Sequence, residues 1–187
     1  LYLALAHFGL GNENLGRNNL DKALKLDPEN INANLLKARI LIGEKKYNQA
    51  LTCCQKVLDN NAKHVRALLT RGRIFLAKSD LQQAEKTFYA VVEIAPGLAS
   101  GYLYLGQIAE LEQRLEDAMS YFEKALMSEP QSIPAINKIV LTHLKLKQSE
   151  SALSFCNNQI KAHKDNPDLQ SFVYNLQGNV FLAQNSF

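Results

Sequence analysis

Apolar and small residues along this chain fall into faces with helical spacing, and the faces recur. In the stretch 99–132, Tyr102, Leu105, Gly106 and Ala109 share one side of a first helix, and Ala118, Tyr121, Phe122 and Ala125 share one side of a second, because positions three and four apart lie on the same helix face. The pattern returns every 34 residues. Ala4, Ala38, Gly72 and Gly106 form a column of small residues, and Ala50, Ala84, Ala118 and Ala152 form a second. Pro28, Pro96 and Pro130 form a third, with Ala62 in its missing place. Such a period is too short for a domain, and it fits two helices of about 14 residues joined by short turns. Each repeat is therefore predicted to be an antiparallel helical hairpin. Gly106 and Ala118 are expected where the helix axes come closest, and Tyr102 and Phe122 in the wider gaps between hairpins. Pro130 ends a second helix, since it lacks an amide donor and disfavours helical geometry in the residue before it.

These residues carry a family resemblance. Tyr102, Leu105, Gly106, Ala118, Phe122, Ala125 and Pro130 resemble the tetratricopeptide-repeat signature of aromatic, Leu-Gly, Ala, aromatic, Ala and Pro at fixed offsets. Leu68, Gly72, Phe75, Ala84, Phe88 and Pro96 match it in 65–98, and Ala38, Leu41, Ala50 and Val57 match it in 31–64. Departures stand at Lys37 and Arg71, in the column of Leu105, and at Cys54 and Cys156, in the column of Phe88 and Phe122. The 34-residue period sets this class apart from the 35-residue pentatricopeptide units that read single-stranded RNA. The resemblance implies an all-α fold, a right-handed α-solenoid, running as one solenoid over 1–187. The repeats are placed at 1–30 (partial), 31–64, 65–98 and 99–132 (full), 133–170 (long) and 171–187 (partial). The long repeat is read from Gly178, which stands four residues later than the lattice predicts, so an extra turn is expected within 160–167. Both ends fall inside a repeat, with Phe187 in the column of Tyr47, Leu81 and Leu115, so the sequence reads as a piece of a longer protein with uncapped ends.

Composition narrows the function classes. The chain is 47% hydrophobic, enough for a continuous core, and its formal net charge is only +3, which gives no global pull toward nucleic acid or anionic membrane. The local basic run from Lys56 to Arg73 points in several directions on two helices, and nucleic acid is not expected as a partner. The apolar opening Leu1-Tyr2-Leu3-Ala4-Leu5-Ala6 lacks a basic start and fits the repeat register, so it reads as helix rather than signal peptide. No run reaches the length of a membrane span. Three cysteines cannot form a paired framework and are expected to be small buried hydrophobes; reduced thiols suit a cytoplasmic or a bacterial periplasmic location equally. The four histidines are scattered without metal spacing.

Catalytic chemistry is not expected. No nucleophile elbow, phosphate loop or metal-binding HExxH occurs, and Gly9, Gly11 and Gly16 follow no strand and so make no dinucleotide loop. Neither an enzyme activity nor a cofactor is therefore assigned. What remains is the surface that stacked hairpins create, where first helices line a concave side. The resemblance implies that such a groove takes a peptide or helix, and its groove columns fall on Leu35, Leu36 and Arg39; Arg66, Leu69, Thr70 and Arg73; Tyr104 and Gln107; and Lys138. Arg39 and Arg73 share a column, which suits an acidic, leucine-like segment of a protein partner. The two-carboxylate clamp of chaperone-tail receptors is absent: the matching positions hold Leu35 and Arg39, then Thr70, then Ser100 and Tyr104. Two other readings stand beside the binding scaffold. One is self-assembly into a homo-oligomer through uncapped ends. The other is a substrate-recruiting arm of a larger enzyme or of a bacterial envelope or polysaccharide-export complex.

Overall fold

A computed structural model describes residues 1–184, which form eleven helices and no strand. They are α1 (Tyr2–Gly9), α2 (Glu13–Leu26), α3 (Ile31–Gly43), α4 (Tyr47–Asn60), α5 (Val65–Ala77), α6 (Leu81–Ile94), α7 (Ala99–Leu111), α8 (Leu115–Ser128), α9 (Ile133–Lys145), α10 (Ser149–Ala162) and α11 (Pro167–Gln184). The helices group into two compact units, an N-terminal one of Leu1–Ile94 and a C-terminal one beginning at Ala95. In each, a first helix packs on the second helix of its own repeat, as α5 on α6 and α7 on α8, and on the second helix before it, as α5 on α4 and α9 on α8. The apolar stripes meet there, and the core is a layer between helices.

Two local devices repeat with the lattice. Ahead of α3, α5 and α11 stand short turns in which Asn30 Oδ1 accepts from the Ala33 amide at 3.0 Å, His64 Nδ1 from Ala67 at 3.2 Å and Asn166 Oδ1 from Leu169 at 3.1 Å, while Leu98 and Ser132 make no such bond before α7 and α9. Each of the three bonds satisfies an amide that a helix start leaves open. Between the first and second helices of each repeat, one residue adopts the left-handed conformation: Gly11 (φ 75°), Lys45 (59°), Ser79 (60°), Gln113 (61°) and Lys147 (58°). Only the first is a glycine, the residue that takes this backbone without strain.

Packing within the hairpins differs from the sequence expectation in one respect. Gly106 makes room for the ring of Phe122 in its own hairpin, not for Ala118 alone, and a Cβ added to Gly72 would lie 2.5 Å from the ring of Phe88. Both rings are fully buried. Where cysteine replaces that aromatic, the facing column carries a larger residue: Ala38 answers Cys54 and Val140 answers Cys156, all four buried. Val140 with Cys156 keeps about the volume of a Gly–Phe pair, whereas Ala38 with Cys54 fills less.

The extra turn expected within 160–167 is not there. Helix α10 has 14 residues, like α4, α6 and α8, and α11 opens at Pro167, on the lattice set by Ile133 of α9. The added length lies in α11 itself, which runs for 18 residues and buries Leu169, Val173, Leu176 and Val180 in ordinary register. Gly178 faces open space, not a neighbouring helix. Its resemblance to Gly72 is one of local sequence, and a boundary at 170 would cut α11. Phe187 lies outside the described residues.

Candidate protein-interaction surface

The N-terminal unit holds the first candidate face, on the neighbouring helices α3 and α5. Arg66 Nη1 donates to Asn32 Oδ1 at 3.0 Å, one repeat away, which marks their register. Arg39 and Arg73 are exposed, and neither has a hydrogen bond or ion pair among the described residues. No carboxylate competes for them on their own elements: α1, α3 and α5 contain no Asp or Glu. The acids of this unit stand on second helices and in turns, where Asp21 pairs with Lys37 at 2.8 Å and Glu44 pairs with Lys46 at 2.9 Å and with Arg17.

The apolar part of this face is smaller than the sequence suggests. Leu35 is 3% exposed and Thr70 7% exposed. Leu35 belongs to the core stripe with Ala38 and Leu41, and the Thr70 hydroxyl donates back to the Arg66 carbonyl at 2.7 Å. Neither offers surface to a partner. Leu36 and Leu69 are half-buried, with part of each side chain open. In the leucine column, Lys37 is held by Asp21, while Arg71 is half-buried with its Nε unpartnered.

In the C-terminal unit, Gln107 is exposed and Tyr104 half-buried. Lys138 is not free, as an anion-gripping role requires. Its Nζ donates to Glu110 Oε2 at 2.6 Å, Lys145 holds Glu110 Oε1, and the Lys138 ammonium lies 5.8 Å from the centroid of the Phe122 ring. Burial of the Glu110 carboxyl pushes its pKa up, but the hydrogen bonds and charges of the two lysines outweigh burial and hold it below its ordinary value. Glu110 sits in a column filled elsewhere by Ile42, Leu76 and Leu144. This internal triad escapes a lattice reading, since Glu110 and Lys138 are 28 residues apart.

Two of the concavities among the described residues bear on the site. One of about 410 Å³ in the N-terminal unit is lined by Arg17, Asp21, Lys37 and Glu44, charges already paired with one another. The other, of about 620 Å³ in the C-terminal unit, lies between Leu144, Lys147, Ser149 and Ala183. The thiols have no open position: Cys53, Cys54 and Cys156 are buried, and burial pushes Cys54 up to about 12 and Cys156 to about 11, where a thiolate nucleophile is not formed at neutral pH. Among the described residues, no helix is long and apolar enough to cross a membrane.

Comparison with known proteins agrees with this architecture. Two family profiles, both described as Tetratricopeptide repeat, match the chain, one over residues 8–74 and the other over 65–97 and 99–132. A probable UDP-N-acetylglucosamine-peptide N-acetylglucosaminyltransferase SPINDLY of Solanum lycopersicum is 29% identical over 107 residues, covering 56% of this chain and 12% of the relative. The chain thus spans a small part of that relative's length. Among solved structures, TTC0263, a thermophilic TPR protein of Thermus thermophilus, superposes with a TM-score of 0.70 at 18% identity, over 94% of this chain and 96% of its own. YrrB, described as a TPR protein with an unusual peptide-binding site, superposes with a TM-score of 0.61 at 16% identity, over 89% and 96%. At these identities the likeness is one of fold.

Proposed function

Because the chain belongs to the tetratricopeptide-repeat family, whose fold generally mediates protein–protein interaction, we propose that it is a binding module without catalysis of its own, taking an acidic peptide segment of a partner on the first helices of its N-terminal unit. One observation carries this reading: Arg39 and Arg73 are exposed and unpaired on adjacent helices that hold no carboxylate. A guanidinium presents a fork of donors that matches a carboxylate, and such charge-assisted bonds are the strong ones. Leu36 and Leu69 supply apolar contact beside them. The peptide-binding site ascribed to YrrB supports the same use of a related fold.

The test is selection from a displayed random-peptide library on the wild type and on Arg39→Glu/Arg73→Glu, with circular dichroism establishing equal helicity. Peptides rich in Asp and Glu are expected on the wild type and lost on the variant. An enriched set that both proteins bind equally overturns the proposal.

Self-association is a second reading, favoured by apolar side chains exposed on α1 and α11: Tyr2 at 88%, Leu3 at 58% and Leu182 at 69%. A molar mass by light scattering that stays at the monomer value of 20.9 kDa as concentration rises rules it out. The likeness to SPINDLY supports a third, a recruiting arm within a glycosyltransferase, which the sequence flanking this chain tests.

A further inference from the structure

The first helices of the N-terminal unit set a spacing as well as a sign of charge. The bond from Arg66 to Asn32 places residues one repeat apart side by side on α5 and α3. Arg39 and Arg73 each lie two helical turns beyond that bond, so they form the next such pair. Two turns measure about 10.5 Å, and neighbouring helix axes stand about 8–10 Å apart. The two unpaired guanidiniums are therefore rooted about one interaxial distance apart, with Leu36 and Leu69 one turn back from each.

Resting on the peptide-binding reading above, we infer that this face selects an extended segment of a partner protein in which two carboxylates stand three residues apart, one meeting Arg39 and the other Arg73. A polyproline II backbone has three residues per turn and rises about 3.1 Å per residue, so its positions i and i+3 share one side about 9 Å apart. That matches the separation of the two helices. Adjacent carboxylates leave one guanidinium unmatched, and a β-strand turns i and i+3 to opposite sides. A helical ligand reaches the same separation only at i and i+7, about 10.5 Å. An apolar residue between the two acids lies over Leu36 and Leu69.

The experiment uses three short fluorescent peptides of one composition, rich in Pro and Ala with one Leu, carrying two Glu at i,i+1, at i,i+3 or at i,i+7. Anisotropy titrations are run with the wild type and with Arg39→Glu/Arg73→Glu. The i,i+3 peptide is expected to bind at least about threefold more tightly than the other two, the worth of one exposed charge pair, and the preference to vanish in the variant. Equal binding of all three to the wild type, lost in the variant, overturns the spacing and leaves the acidic-peptide reading standing. Tightest binding of the i,i+1 or the i,i+7 peptide overturns the three-residue spacing. Binding that the variant leaves unchanged for every peptide overturns both readings.

Discussion

Gly72 and Phe88 act as one fitted pair across their hairpin. Alanine at 72 would gain about 0.5–1 kcal/mol in helix formation over glycine, but its Cβ falls 2.5 Å from a fully buried ring, and overpacking of that kind costs about 1–3 kcal/mol. The steric cost wins, so Gly72→Ala is expected to lower the urea midpoint. Adding Phe88→Leu should return part of the loss, and a single variant more stable than wild type would refute the pairing. Columns in the sequence reveal that 72 and 106 must be small and that 88 and 122 are aromatic. They do not reveal that these positions face each other, because a column orders residues along the chain and says nothing of what fills the space across a hairpin. Leu35 and Leu36 show the same limit: both are leucines in groove columns, and only the core stripe through Ala38 and Leu41 decides that Leu35 is the buried one.

At the scale of the element, the turns inside the hairpins carry avoidable strain. Ser79 holds φ at 60°, a conformation that costs a residue with a Cβ roughly 1–2 kcal/mol. Glycine there relieves the strain while adding freedom to the unfolded chain, so Ser79→Gly is expected to stabilise by about 0.5–1 kcal/mol in equilibrium denaturation. This column is silent in the sequence, since Lys45, Ser79, Gln113 and Lys147 share no chemistry and Gly11 stands alone. The triad joining α7 to α9 gives a pH prediction. The Glu110 carboxyl is held below its ordinary value of 4.5 in the folded protein. Its contribution is therefore complete above that value and lost as pH falls through the lower, folded one. Glu110→Gln leaves the two lysines a weaker acceptor and is expected to cost about 1 kcal/mol at neutral pH. Glu110→Leu restores the apolar column of Ile42, Leu76 and Leu144 but leaves the partly exposed Lys138 and Lys145 without their acceptor, and is expected to cost about 1 kcal/mol as well. In thermal melts between pH 6 and pH 3, the wild type should lose stability more steeply than Glu110→Leu; parallel curves would deny the triad that role.

For the whole molecule, the repeat period made the fold class legible, because stacked hairpins need the same small and large positions in every unit. The division at Ile94 was not legible, since the lattice runs through it without a break. The candidate site was legible in part. Arg39 and Arg73 stand exposed in the columns that named them, whereas Lys138 is engaged by a carboxylate outside the lattice. The separation of charge in the N-terminal unit, with cations on α3 and α5 and every carboxylate on second helices or turns, has a kinetic meaning. Electrostatic attraction in 0.15 M salt reaches only about 8 Å, so the net charge of +3 matters little to an approaching chain, while a face cleared of its own acids acts within that range. An acidic segment would be drawn and oriented before any side chain touches it, and its association rate, more than its residence time, would fall as ionic strength rises.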